Sequence, residues 1–400
     1  MADRPIPELG YKTPLEAAEP EHMDKLASNG VSGLLDPIAP GIAPGSDAAN
    51  LSILGYDIWK IRGRGPFEAA GAGIQLEASD IAFRCNFATV DADLRMIDER
   101  AGRIREEATE LAESLQDMRL RENFGIRVIF KHTVGFKGAM VLRGENLSPN
   151  VAATLPNAGE RVDSVKPVDD TFEAKKTAQV VNEFIKTSHD LLNNHPVNLQ
   201  RAREGRSPAN VVVPWSGDQP PQLQSFDDKY GLKAACVAGA SLIKGIARLT
   251  GMEVIDVKGA TGDIDTDTQA KADAALQAVK KNDFVWVHVE GADEASHAGD
   301  VDGKIAIIKK IDAMVGRIAE SVDLADTVVV LLADHATSLR LRRHTGDPVP
   351  MAVASREVVR DGVERYCEAA ACRGGLNRVR GADVMPLVLN ALGKPERLGS

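Results

Sequence analysis

Apolar and polar positions repeat with two different periods along this chain, and the change of period divides it into blocks. In the C-terminal half the runs 234–240 (AACVAGA), 252–257 (MEVIDV), 283–290 (DFVWVHVE) and 327–334 (TVVVLLAD) predict strands. The last two are nearly continuous, as in parallel strands covered on both faces. Between them, 242–249, 268–280 and 303–322 place apolar residues at helical spacing. Strand and helix in alternation predict an α/β fold, a mostly parallel sheet with helices on both faces.

The middle of the chain follows another rhythm. A helix is predicted over 105–118, paired strands over 126–132 and 139–144, a helix over 180–192 and a strand over 209–215. The Gly-rich stretch 63–73 and the Pro/Gly/Gln-rich stretch 216–222 read as linkers. Two linkers bracketing an α+β block predict a smaller domain, 63–222, inserted into a discontinuous α/β domain made of 1–62 and 223–400. With 400 residues the chain exceeds the usual size of a single core.

Composition narrows the classes. A net charge of −10 argues against nucleic acid as the main partner, yet a local cluster of Arg and Lys can still bind a small anion. No apolar run is long enough to predict a membrane span, and the start MADRPIPELG lacks the apolar core of a signal peptide. Cys85, Cys236, Cys367 and Cys372 match no zinc or redox spacing, so a reduced, cytoplasmic protein is expected. No pattern in the chain sets an oligomeric state.

The chemistry gathers where the strongest strands end. Asp293 and His297 follow the run 283–290; Asp334 and His335 follow 327–334, with His344 close behind. Ligands of open α/β sheets bind beyond the carboxyl ends of strands, and mixed carboxylate and imidazole donors suit Mn²⁺, Zn²⁺ or Fe²⁺. Any one of these residues alone reads as a turn Asp or a structural His. Three His and two Asp between 293 and 344, in a chain holding 8 His, point to a metal site. Paired ions are a common device for displacement at phosphorus, which also asks for a nucleophile and for cations. In PGSDAAN, Ser46 or Asp47 follows a Pro-Gly turn and suits the cap of a helix running through Leu54, with Gly55 as its stop. That stretch alone favours a plain cap, but free amides at a helix start also bind an anion, which makes Ser46 the nucleophile candidate. Arg84, Arg100, Arg103, Lys131, His132 and Arg143 are the candidate cations, although a lone Arg reads first as a solvated charge.

The segments DRPIPELGYKTPLEAA, MDKLASNGVSGLLDPI, PGSDAANLSILGYD, FRCNFATV, DERAGRI, LIKGI, DEASH and HTGDPVP resemble the cofactor-independent (2,3-bisphosphoglycerate-independent) phosphoglycerate mutases of the archaeal type, in the alkaline phosphatase superfamily. The resemblance covers essentially the whole chain. It implies an alkaline-phosphatase-like metal domain with an inserted substrate domain, interconverting 3-phosphoglycerate and 2-phosphoglycerate through a phosphoserine on Ser46. It implies two divalent ions (Mn, Zn, Co or Mg) and no 2,3-bisphosphoglycerate. Asp293, His297 and His344 would hold one ion, and Asp334, His335 and Ser46 would contribute to the other. Arg84, Arg100 and Arg103 would clamp the substrate, with Lys244 on the phosphate side. Two departures stand out. Family members carry an apolar strand ending in Asp-Gly-Met ahead of the Ala2-Asp3-Arg4-Pro5 equivalent, so a first core strand and a metal-binding Asp are expected to be missing. Asn50 stands where relatives commonly have His. Another phosphatase or phosphotransferase of the superfamily, or a catalytically impaired homologue, are the alternatives.

Overall fold

The computed structural model describes every residue except Asp117, Arg119, 121–124, Glu396 and 398–400. Capping residues set the helix starts. Asp300 accepts the Gly303 N–H and opens the 21-residue helix Val301–Ser321, which buries Ile307, Ile308, Ile311, Met314 and Val315 on one face. Thr171 accepts the Ala174 N–H and opens Phe172–Leu192, eight residues earlier than the apolar pattern alone suggests.

Two compact units result: Met1–Lys60 with Leu223–Ile243 and Thr250–Ser400, and Ile61–Gln222 with Lys244–Leu249. In the first unit, β1 (Gly30–Asp36) pairs in parallel with β14 (Asn377–Arg380). It pairs antiparallel with β13 (Val349–Ala354), which also runs antiparallel to β10 (Val329–Leu332). A separate sheet of β7 (Ala234–Val237), β8 (Glu253–Ile255) and β9 (Phe284–Val287) is parallel throughout, with β7 in the centre. The α/β class holds, but the expected parallel sheet is two hydrogen-bonded sheets, one of them mixed through β13. Both β9 and β10 are edge strands of their sheets, and both are largely half-buried. A hairpin of β11 (Ala336–Ser338) and β12 (Arg343–Thr345) sets Thr337 opposite His344.

The second unit is built on β2 (Ile81–Val90), buried along its length apart from half-buried Arg84. It lies between β5 (Lys137–Arg143) and β6 (Val211–Asp218), with β4 (Arg127–His132) beyond β5 and β3 (Met96–Asp98) pairing at its end. Phe83, Cys85 and Phe87 on one face pack into a core with Val181, Phe184 and Ile185 of the helix Phe172–Leu192. On the other face Ala82, Ala139 and Val141 meet Ala69 and Ile74. The Gly-rich stretch 63–73, expected as a linker, contains the buried helix Gly65–Gly71. Its small residues are there for packing: a Cβ on Gly65 would collide with the Ala82 carbonyl of β2.

Candidate metal and phosphoryl site

The first unit gathers every metal-ligand candidate. Asp293 and His297 lie one turn apart on the helix Gly291–Ala298, directly after β9, so both project from the same face. Asp334 and His335 lie in the short link between β10 and β11, and His344 sits on β12 across from Thr337. A helix, a link between strands and a hairpin strand converge here.

His297 Nε2 lies 3.3 Å from Asp293 Oδ2, and His344 Nε2 lies 3.4 Å from Asp293 Oδ1. The two Nε2 atoms are 3.3 Å apart, and the rings of His335 and His344 stack at 3.8 Å. Each of the outer imidazoles spends its Nδ1–H on a backbone carbonyl, His297 on Arg342 and His344 on Pro44, both at 2.8 Å. That leaves both Nε2 atoms aimed inward, as in metal-binding histidines oriented by a neighbouring carbonyl. One donor atom each from Asp293, His335 and His344 falls within 4.8 Å of the others. The residues therefore fit a divalent ion of borderline softness. The sequence reading placed His335 in a different set from Asp293 and His344; in the fold the two sets meet at His335.

Electrostatics agree with this picture. Burial opposes ionisation of Asp293, yet its bonds to His297 and His344 and the field of His335 hold it well below the usual carboxylate range. His297 is raised by its bond to Asp293 against the cost of burial. For His344 burial is the largest influence and pulls downward, but Asp293 outweighs it and the net shift is upward. His335, almost fully enclosed, is pushed down to about 4 by burial and stays neutral at pH 7. Asp334 is lowered despite its burial, by His335 and His288.

Ser46 is buried beside this cluster, its Oγ 3.1 Å from His335 Nε2. It does not cap its helix. Gly45 occupies the cap position, Ser46 is the first helical residue, and its hydroxyl makes no capping bond. The local preference for a plain cap is thereby corrected: the turn geometry of Pro44-Gly45 places the cap one residue earlier and frees the hydroxyl for His335. The helix ends as expected, with Gly55 at φ +74°. Asn50, one turn on, donates from Nδ2 to Ser46 O and to Asp334 Oδ2, both at 2.8 Å.

Several contributing residues were invisible to pattern reading. Thr337 Oγ1 lies 2.7 Å from Asp293 Oδ1 and 3.0 Å from His335 Nδ1. Lys304, fully buried, bonds Asp3 Oδ2 and Thr337 O at 2.9 Å and Ala2 O at 3.3 Å. Asp3 is thus committed to Lys304. His288 Nε2 lies 3.7 Å from Asp334 Oδ2. Only the two-residue step from His335 to Thr337 was available as a signal in the chain.

The cation candidates belong to the second unit. Arg84 bonds Glu68 at 3.2 Å and stacks over Trp215 at 4.8 Å, while Trp215 Nε1–H donates to Asn86 Oδ1 at 3.2 Å. Arg100 and Lys137 flank the Phe136 ring at 5.9 and 5.7 Å. Arg103 ends the short turn Ala101–Arg103 and is exposed, and Arg143 is tied to Asp80 and Glu77. Lys244 is half-buried on the helix Ser241–Leu249. Strand register divides the Lys131–His132 pair. Lys131 and Arg84 both stand opposite Ala139, on one face of the sheet; His132 stands opposite Gly138 and points to the other face. There His132 Nε2 bonds Gly135 O at 2.7 Å, and burial lowers its pKa. Alternation across a strand sends adjacent residues to opposite sides.

Two family models match the chain, and both matches run across the two units. The family model for 2,3-bisphosphoglycerate-independent phosphoglycerate mutase matches residues 27–198, and that for type I phosphodiesterase / nucleotide pyrophosphatase matches 159–340. A 2,3-bisphosphoglycerate-independent phosphoglycerate mutase 1 of Methanothermobacter thermautotrophicus is 44% identical over 403 residues, covering all of this chain and 98% of the relative. Its namesake in Methanocaldococcus jannaschii is 43% identical over 403 residues, covering 100% and 97%. Among solved structures, a Pyrococcus horikoshii protein superposes with a TM-score of 0.85 at 34% identity, covering 100% and 97%. A cofactor-independent phosphoglycerate mutase from Thermoplasma acidophilum superposes at 0.67 and 31%, covering 98% and 97%.

Proposed function

This chain belongs to the 2,3-bisphosphoglycerate-independent phosphoglycerate mutase family, a family of isomerases, and from that premise we propose that it interconverts 3-phosphoglycerate and 2-phosphoglycerate through a phosphoserine on Ser46. The observation that carries the reading is Ser46 itself. It is a buried hydroxyl at a helix start, not used as a cap, held against His335 at the edge of a carboxylate and imidazole cluster.

Asp293, His297 and His344, with Asp334, His335 and Ser46, are the residues that would hold two divalent ions, Mn²⁺ being the first to try. When bound, such ions neutralise phosphoryl oxygens and favour the ionised nucleophile. The chain's own residues do the rest. His335 Nε2 holds the Ser46 hydroxyl in place until its lone pair is given to an ion, and the free amides at the start of Ser46–Ile53 receive the phosphoryl group. Ser46 gives up its hydroxyl proton and its Oγ bonds to phosphorus as the bond from phosphorus to the glycerate oxygen breaks; that oxygen takes up one proton, so the step balances. The second half reverses this onto the other glycerate hydroxyl, so nothing is consumed. Arg84, Arg100, Arg103, Lys131, His132 and Lys244 are the proposed holders of carboxylate and phosphate while the glycerate turns, with His132 on the face of its sheet opposite Lys131. The full-length relatives favour this reading over another phosphatase or phosphotransferase. The four cysteines are all free thiols, which supports a cytoplasmic setting, and no described helix is long and apolar enough to cross a membrane.

The test is an enolase-coupled assay with Mn²⁺ and without 2,3-bisphosphoglycerate, run beside Ser46→Ala. We expect turnover in the wild type and a loss of about 10³-fold or more in the variant. A wild-type protein without turnover would overturn the mutase reading, and undiminished turnover in Ser46→Ala would remove the serine.

A further inference from the structure

Between Ser46 and Asp293 runs an unbroken line of hydrogen bonds that passes through a residue with no role in the chemistry above. Ser46 Oγ is 3.1 Å from His335 Nε2, His335 Nδ1 is 3.0 Å from Thr337 Oγ1, and Thr337 Oγ1 is 2.7 Å from Asp293 Oδ1. The proton positions along it follow from what each group can do. An ionised carboxylate only accepts, so the single hydroxyl proton of Thr337 goes to Asp293. Thr337 Oγ1 must then accept from His335, which fixes the ring proton on Nδ1. Nε2 is left with its lone pair towards Ser46, whose hydroxyl donates to it.

We propose that Thr337 is a positioning residue: its hydroxyl locks His335 in the Nδ1–H tautomer, so that Nε2 always presents an acceptor to the Ser46 side. That lone pair serves the serine hydroxyl or a divalent ion, and the two compete for it. The arrangement is the carboxylate–histidine device of metal sites with one hydroxyl inserted, and because Asp293 is itself a candidate ligand, Thr337 couples the two ligand sets. Two further bonds hold Thr337 in place. Its N–H donates to Ala2 O at 3.2 Å, and its carbonyl accepts from the buried Lys304 ammonium at 2.9 Å. Register adds a third constraint, since Thr337 stands directly opposite His344 in the hairpin. Threonine meets these needs with a short hydroxyl on a β-branched, strand-favouring frame. Valine has the same shape without the hydroxyl.

The role of Thr337 rests on the phosphoserine reading for its purpose but not for its test. In metal-free protein labelled with ¹⁵N-histidine, His335 is expected as the Nδ1–H tautomer, with Nε2 showing the shift of an unprotonated acceptor. Thr337→Val should lose that preference and bind Mn²⁺ about 10–100-fold more weakly by calorimetry, the span usual for an outer partner of a ligand. Thr337→Ser should restore both, and Thr337→Ala replaces the valine variant if that does not fold. A wild-type His335 found as the Nε2–H tautomer overturns the proposal, as does a Thr337→Val protein whose His335 signals and Mn²⁺ affinity match the wild type. Both readouts are taken without substrate, so a failure of the mutase reading would show separately, as absent turnover with the tautomer result unchanged.

Discussion

Replacing Lys304 by Met tests how the first residues of the chain are bound to the site. Lys304 is fully buried, and its ammonium uses all three donors, on Asp3 Oδ2, Thr337 O and Ala2 O. Burial pulls its pKa down against the field and hydrogen bond of Asp3, as expected for a charge kept inside only by its partner. Met fills much of the same volume but strands the Asp3 carboxylate, which keeps only the N–H groups of Leu339 and Arg4, and leaves two carbonyls short of a donor. Breaking one side of a buried ion pair costs about 3–5 kcal/mol. At a urea slope of about 2–3 kcal/mol/M the midpoint should fall by roughly 1–2 M. The assay is urea unfolding followed by far-UV circular dichroism, fitted with separate transitions for the two units. Adding Asp3→Asn removes the stranded charge while keeping an acceptor for Leu339, so the double variant should be more stable than Lys304→Met alone. A Lys304→Met protein within about 0.5 kcal/mol of wild type, or a double variant whose loss equals the sum of the singles, would refute the reasoning.

Three other expectations are more quickly stated. Mn²⁺ affinity should fall as pH is lowered: His297 and His344 both titrate above the ordinary imidazole value, their protons must leave for an ion to bind, and so the decline should begin above about 6.5. Calorimetry in buffers of different ionisation enthalpy should detect release of more than one proton near pH 6.5. Asn50→Leu removes the amide that ties Asp334 to Ser46 O and should weaken Mn²⁺ binding by about tenfold with little change in melting temperature. Gly245→Ala drives a Cβ into the Phe67 carbonyl and should cost about 1–3 kcal/mol in thermal unfolding while leaving Mn²⁺ affinity as it was.

Where sequence reading worked, the signal was local. The ligand candidates were legible because strand ends are short-range features: an apolar run, then Asp and His. The helix 303–322 was legible because its apolar stripe repeats every turn, and the structure places it at Val301–Ser321. The stretch 63–73 was misread because Gly counts as a linker signal in one dimension. In three dimensions Gly65 lies so close to β2 that no side chain fits. β13 shows the same limit: its six residues are all buried, but only pairing shows that it runs antiparallel to both neighbours.

The sequence by itself determined the family, the alternating α/β pattern and the set of candidate groups proposed to hold ions and accept a phosphoryl group. Each of these is a matter of residue type and near-neighbour order, which the chain states directly. Only the tertiary structure decided who touches whom. It put the cap on Gly45 and turned the Ser46 hydroxyl to His335, joined the two ligand sets at that ring, and sent Lys131 and His132 to opposite faces. It also brought Thr337 and Lys304 to the site, residues with no distinctive pattern around them. Hydrogen bonds act over about 3 Å, and contacts that short between residues tens or hundreds of positions apart are settled by packing and strand register rather than by local composition.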